Sequence, residues 1–198
     1  SRVQEALRVL EEFTRLTDPK LSELATKIRY ETYALEIKVL KTKENTDKKQ
    51  ILKDCSIYLV TSNKKNLNEI VLQSLKAGVK IVQYREKSLN DNEKLNQAKC
   101  IASLCKKYNS LFIVNDRIDI ALAVEADGIH LGQEDIPTKI ARKLLGSRKI
   151  IGRSTHCLKD IKHAEEEGCD YIGIGPVFPS GTKKGLNPIG IDYLRQGL

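Results

Sequence analysis

The sequence contains no apolar run approaching the roughly 18 residues that a membrane-spanning helix requires, and nothing at its start has the pattern of a secretory signal. No membrane association is therefore expected. Paired cysteines are missing as well: Cys55, Cys100, Cys105, Cys157 and Cys169 are odd in number, scattered and never in C-x-x-C spacing. That pattern speaks against a zinc ribbon or a disulfide framework and for reduced thiols in a cytoplasmic setting. Aromatic residues make up only 5% of the chain, too few to interleave with cations as base-stacking platforms. The formal charge of +8 is accordingly read as a solvated basic surface together with a phosphorylated substrate, not as a nucleic-acid interface, because the lysines are spread over many helix faces.

What is present is enough apolar material for one sizeable core and a small appendage, with 198 residues of which 40% are hydrophobic and 30% charged. The first block reads as helix. Val3, Leu7, Leu10 and Phe13 or Thr14 recur at helical spacing, with Glu5, Arg8, Glu11, Glu12 and Arg15 between them. Asp18 fits an N-cap and Pro19 the first helical position, which predicts a second helix from about Pro19 to Leu40 with Leu21, Leu24, Ile28, Leu35 and Val39 on its inner side. Residues 41–54 are charged and mostly without periodicity, and read as a linker or surface segment.

From residue 55 onward short apolar runs alternate with stretches of helical length. Ile57–Thr61, Val79–Arg85, Leu111–Asp116, Gly128–Gly132, Lys149–Ser154 and Tyr171–Val177 are the strand candidates. Six βα units in series predict a parallel sheet with right-handed crossovers. A doubly wound sheet is one solution. A (β/α)8 TIM barrel fits better, because polar residues stand at the C-terminal ends of nearly every strand, where barrel enzymes place their chemistry. An eightfold barrel takes about 200–250 residues, so the expectation is a barrel truncated after about six βα units, preceded by an N-terminal helical hairpin, in a chain cut from a longer protein.

The chemistry concentrates at strand ends. In an extended strand, residues two apart share a face, so Gln83, Arg85 and Lys87 are expected to point one way and Tyr84 and Glu86 the other. Asn115 and Asp116 close the third run and Asp135 follows the fourth. Two cations and an amide near two carboxylates suit a magnesium-bound diphosphate. Each residue also has a plainer reading. Asp116 could cap the following helix, Asp135 before Ile136-Pro137 could be turn chemistry, His130 reads as a packed, hydrogen-bonded histidine, and His163 as a helix-surface residue. His156 is the histidine nearest the expected mouth.

These segments, with Ala126-Asp127-Gly128-Ile129-His130-Leu131-Gly132-Gln133-Glu134-Asp135 and Gly175-Pro176-Val177-Phe178-Pro179 followed by Thr182-Lys183, resemble the thiamine phosphate synthase family in order and distance. The resemblance covers about residues 55–198. It implies transfer of the hydroxymethylpyrimidine group from its diphosphate to the nitrogen of thiazole phosphate, with release of pyrophosphate, and a requirement for Mg2+. By the same resemblance Asp116 and Asp135 hold the metal, Arg85, Lys87 and Lys183 grip diphosphate oxygens, and Gln83 and Asn115 orient pyrimidine or diphosphate. Ser154 would donate to the pyrophosphate, while Ser180 and Thr182 would meet thiazole phosphate; Ser180 replaces the threonine common there but keeps a hydroxyl. A thiazole tautomerase-like paralogue would not need the diphosphate cluster, and a noncatalytic barrel-based binding protein is the alternative of another class. The stretches Glu5–Glu12 and Lys27–Tyr30 look like the hydroxymethylpyrimidine phosphate kinase-like domain fused to some bacterial synthases, with a hairpin that packs or dimerises, as in a homo-oligomer, as the plainer reading.

Overall fold

The computed structural model describes residues 2–179 and 188–196. They divide into two compact units, Ser1–Asp47 and Lys48–Leu198. In the first, α1 (Arg2–Thr14) and the first part of α2 (Pro19–Asp54) form a helical hairpin. Asp18 caps α2 as its sequence position predicts, its Oδ1 accepting from the Leu21 N–H at 3.1 Å. The hairpin is fastened by polar groups: Arg29 pairs with Glu11 at 2.8 Å, Ser22 Oγ donates to the Glu11 carbonyl at 2.8 Å, and Gln4 donates to Glu36 at 2.5 Å.

The buried face of the hairpin differs from the one expected. Leu21, Leu24, Ile28, Leu35 and Val39, expected on the inner side of α2, are exposed, as are Leu10 and Phe13 of α1, whereas Gln4, Thr14, Ser22 and Ala25 are buried. Two helices cover only a narrow strip of one another, and small and polar residues let the backbones approach along it. Residues 41–54, read as a linker or surface segment, are helical to Asp54. The last turns of α2 belong to the second unit, where Ile51 and Leu52 pack against Ile81, Leu111, Ile113 and Ile150.

The second unit is a six-stranded parallel sheet in the order β1-β2-β3-β4-β5-β6. Its strands are β1 (Tyr58–Val60), β2 (Ile81–Tyr84), β3 (Leu111–Asn115), β4 (Gly128–Leu131), β5 (Ile150–Thr155) and β6 (Tyr171–Ile174), close to the six predicted runs. A strictly sequential order has no reversal point, which rules out the doubly wound alternative. The sheet curls. Tyr58 on the first strand and Tyr171 on the last bring their hydroxyls to 2.6 Å, which a flat six-stranded sheet could not do at about 4.8 Å per strand.

Alternation then separates two faces. Val82, Tyr84, Phe112 and Val114 face outward and pack under α3 (Leu67–Lys76) and α4 (Asp91–Lys107), with Val71, Leu75, Ala98 and Ile101 all buried. Ile129, Leu131 and Ile151 do the same under α6 (Thr138–Leu145). Inward-facing Ile81, Leu111, Ile113 and Ile150 form a separate cluster with Tyr58 and Tyr171. α5 (Ile118–Ala123), α7 (Leu158–Glu166) and α8 (Gly190–Gln196) complete the helices.

Two aspartates standing just before strands tie the N-terminal end together. Asp127 accepts from the Phe112 N–H at 2.9 Å and pairs with Lys48 at 3.1 Å. Asp170 accepts from the Ile151 N–H at 2.9 Å and pairs with Arg142 at 2.7 Å and Lys49 at 2.9 Å. Burial works to raise the Asp170 carboxyl, yet the hydrogen bonds from Arg142, Ile151 and Lys49 outweigh it and hold the group below its ordinary value of 3.8. A depressed folded-state value means that stability is present above the unfolded pKa and lost as pH falls through the folded one. Replacing Asp170 by Ala is expected to cost about 3 kcal/mol near neutral pH by stranding its partners, and this difference from wild type should shrink in denaturant titrations taken below about pH 3. A difference constant down to about pH 2 would show that the charge of Asp170 is not what stabilises.

Candidate active site

Five parallel strands, β2 to β6, turn their C-terminal ends toward one mouth, and the register decides which side chains meet there. Gln83 pairs with Ile113, Asn115 with His130, His130 with Gly152 and Gly152 with Tyr171. Because partners in a parallel ladder share a face, Gln83, Asn115, His130 and Ser154 all stand on the inner face toward its polar end. Gln83 and His130 are buried.

β2 ends at Tyr84, so strand alternation fixes Gln83 inward and Tyr84 outward but does not carry through to Lys87. The turn beyond is set by Glu86, whose Oε1 accepts from the Ser88 N–H and Oγ at 2.6 Å each and from the Leu89 N–H at 3.2 Å. Thr61 Oγ1 accepts the Arg85 N–H at 2.9 Å. Held this way, Lys87 still reaches Asp116, with Nζ 3.1 Å from Oδ2.

Asp116 follows β3 with φ at +62°, a left-handed conformation that Asp and Asn tolerate better than most residues. Its N–H donates to the His130 carbonyl at 2.9 Å, which pins it to the next strand. The N-cap position of α5 falls to Arg117, without a side-chain cap bond, so the plainer reading of Asp116 as a helix cap does not hold. The Asp116 carboxyl is raised above its ordinary value, by burial first and by the facing Asp135 carboxylate next, more than Lys87 offsets. Asp135 is itself fixed, its Oδ2 accepting from the Gly132 N–H at 2.6 Å. Behind that loop the buried Arg153 donates to the carbonyls of Ile136 at 3.0 Å and Gln133 at 3.4 Å. In the sequence Arg153 is marked only as a cation standing inside an apolar strand run.

Asp116, Asp135 and Lys87 thus bring two carboxylates and one ammonium together at the C-terminal end of the sheet. Among the described residues no group of three or more His, Cys, Asp or Glu side chains could hold a metal unaided. The remaining residues expected at the site fall as follows. Ser154 is on the inner face beside His130, at 2.9 Å from its Nε2. His156 is tied to the scaffold, its N–H donating to Asp160 at 2.7 Å and its Nδ1 meeting the Gly175 carbonyl. His130 is packed and hydrogen-bonded and His163 is exposed on α7, as the plainer readings had it. Ser180, Thr182 and Lys183 lie outside the described residues. Tyr58 and Tyr171 also belong to the inner face and were missed, although the period-two spacing Tyr171, Gly173, Gly175 marks a face with room for a ring.

A curled parallel sheet in strictly sequential order, with polar side chains gathered at its C-terminal strand ends, is an arrangement of the βα-barrel class. Residues 57–198 match the family model described as thiamine monophosphate synthase, and the chain belongs to that family. Residues 1–38 match the model of the ThiD2 family. Among curated proteins, the thiamine-phosphate synthase of Prochlorococcus marinus (strain MIT 9313) is 51% identical over 201 residues, covering 99% of this chain and 57% of its own. That of a Synechocystis strain is 49% identical over 194 residues, covering 98% and 55%. The solved structure of a thiamine phosphate pyrophosphorylase from Pyrococcus furiosus matches with a TM-score of 0.65 at 37% identity, over 71% of this chain and 67% of that one. The chain thus spans little more than half the length of the curated relatives it matches.

The raised Asp116 carboxyl has a consequence for stability. Folding favours its protonated form, so the contribution is greatest below the ordinary carboxylate value and is lost as pH rises through the folded one. Asp116→Asn removes the repulsion and keeps a residue suited to positive φ. In the full-length protein near pH 7 without metal, it should melt about 2 °C higher than wild type, a half-buried repulsion screened by water being worth under about 1 kcal/mol. Millimolar Mg2+ together with inorganic pyrophosphate should raise the wild-type midpoint and move the variant far less. A variant that melts lower without metal would mean that Asp116 is structural.

Proposed function

We propose that the protein carrying this chain is a thiamine-phosphate synthase, joining hydroxymethylpyrimidine diphosphate to thiazole phosphate and releasing pyrophosphate. The observation that carries this reading is the Lys87–Asp116 pair, with Asp135 facing Asp116, at the strand ends where barrel enzymes do chemistry. The two carboxylates fit Mg2+, which is commonly held by one or two carboxylates with substrate phosphates completing its shell. Bound there, the ion supplies neutralisation of the charge that builds on the departing diphosphate.

The chain's own residues do the rest. Lys87 is 61% exposed along its side chain, so it is free to turn from Asp116 to a diphosphate oxygen, and Arg85 stands two residues away in the same turn. Fixed cations around a leaving group lower the barrier directly, because the negative charge they meet develops in the transition state. No enzyme nucleophile is needed when the carbon–oxygen bond ionises. Gln83 and Asn115 on the inner face would hold the pyrimidine, and Ser154 would donate to the pyrophosphate. We assign Lys183 to the diphosphate and Ser180 and Thr182 to thiazole phosphate.

The fold we propose is the eightfold barrel, to which the described strands contribute the first six. The helical block is read as part of a hydroxymethylpyrimidine phosphate kinase-like module, supported by the match of residues 1–38. Among the described residues no helix is long and apolar enough to cross a membrane; we assign a cytoplasmic setting on the scattered, odd-numbered cysteines, whose spacing suits reduced thiols.

Pyrophosphate release by the full-length protein should require both substrates and Mg2+. Arg85→Ala and Lys87→Ala should each raise KM for the pyrimidine diphosphate about tenfold or more, as loss of a charged hydrogen bond implies, with KM for thiazole phosphate little changed. Equal losses for both substrates would remove these cations from the diphosphate site. Turnover that needs no pyrimidine diphosphate would overturn the synthase reading altogether.

A further inference from the structure

One chain of hydrogen bonds crosses the inside of the barrel and joins two residues of the proposed site. Gln83 Nε2 donates to the Tyr58 hydroxyl at 3.0 Å. Tyr58 and Tyr171 hydroxyls lie 2.6 Å apart, Tyr171 OH lies 3.0 Å from His130 Nδ1, and His130 Nε2 lies 2.9 Å from Ser154 Oγ. The rings are seated on glycine. A Cβ at Gly152 would stand 2.0 Å from the Tyr171 ring, and one at Gly173 would stand 3.2 Å from His130 Cε1. Substitution at Gly152 cannot occur without moving Tyr171, so the chain is built into the barrel and not a chance meeting of surface groups.

The direction of the chain follows from proton counting. An amide nitrogen only donates, so the Tyr58 oxygen accepts from Gln83. Tyr58 has one proton of its own, and its remaining hydrogen-bond partner is Tyr171. Tyr171 must then donate onward to His130 Nδ1, which leaves that nitrogen bare and the ring proton on Nε2. His130 in turn donates to Ser154 Oγ, and the Ser154 proton is left for something in the mouth. Running the chain the other way would strand the Tyr58 proton in a largely enclosed place, at a cost of about 1–3 kcal/mol. Burial also raises both phenols above their ordinary values, which keeps them protonated near neutral pH.

We infer that His130, oriented through Tyr171 and Tyr58 from Gln83, is a positioning residue that fixes the Ser154 hydroxyl as a hydrogen-bond donor toward a bound diphosphate. The inference deepens the synthase reading and rests on it for the identity of the ligand. It also makes Gln83 and Ser154 interdependent, since the amide that would hold the pyrimidine sets the polarity of the hydroxyl that would meet its leaving group.

The test reads the imidazole directly. In the full-length protein labelled with 15N-histidine, the His130 ring, identified by its loss in His130→Gln, should carry its proton on Nε2 and not on Nδ1 near neutral pH. An Nδ1–H or doubly protonated ring would overturn the inference. Tyr171→Phe should release this tautomer and weaken binding of inorganic pyrophosphate in the presence of Mg2+ by about tenfold, the size of one lost hydrogen bond. Made in a Ser154→Ala background, the same change should weaken it no further, and losses that simply add would show that Tyr171 acts on packing alone. The wild-type spectrum needs no substitution, so the inference is decided even if Tyr171→Phe does not fold. Because the tautomer is read without turnover, an Nε2–H ring in a protein that lacks synthase activity would sink the proposed function and uphold the polarity of the chain.

Discussion

The hydroxyls of Tyr58 and Tyr171 meet at 2.6 Å inside the sheet, and the geometry of the mouth depends on that contact. It joins the first described strand to the last, so the four strands between them must follow a curve. Curvature turns the inner-face residues toward one another: Gln83 from β2, Asn115 from β3, His130 from β4 and Ser154 from β5 would line a flat surface in an open sheet. A parallel sheet with helices on its outer side can close this way only if the inner residues interlock, and here a ring of β6 lies over Gly152 of β5. Curvature thus gathers the inner-face residues, while Lys87 and Asp135 reach the same mouth from turns beyond the strand ends.

The carboxylates at the two ends of the strands are treated in opposite ways. At the N-terminal end Asp127 and Asp170 each meet a strand N–H and a lysine from the end of α2. They are satisfied groups, and Asp170 ionises more readily than usual. At the C-terminal end Asp116 is raised by burial and by Asp135; the Asp116 N–H donates to the His130 carbonyl and the Gly132 N–H donates to the Asp135 carboxylate, which keeps the two side by side. A fold that relaxed would separate the second pair. Stability at one end holds unfavourable charge in place at the other, which is the usual division of labour in barrels between a structural face and a reactive one.

Much of this was legible in the residues. Six strands were placed within a few residues because their apolar runs are short and bounded by turn chemistry, and Asp18-Pro19 announced a helix start that the Leu21 N–H confirms. Lys87 was placed near the carboxylates on a strand register that ends three residues too soon, at Tyr84; the turn fixed by Glu86 brought it there instead. The end of α2 was unreadable because Lys48 and Lys49 look like solvent-facing charge, and only the distant Asp127 and Asp170 reveal them as anchors. Tyr58 and Tyr171 are 113 residues apart in sequence, and no local pattern could pair them. In the hairpin, periodicity identified helices correctly and the buried face wrongly, because spacing shows an apolar stripe without showing what covers it.

On the function we propose, Asp116 and Asp135 form a half-built site that a divalent cation and a diphosphate complete together. Calorimetric titration of inorganic pyrophosphate into the full-length protein, with and without Mg2+, tests it most directly. Mg2+ should tighten pyrophosphate binding strongly, and pyrophosphate should tighten Mg2+ binding by the same factor, as linkage between the two ligands demands. Pyrophosphate binding of equal strength in the absence of the metal would contradict it.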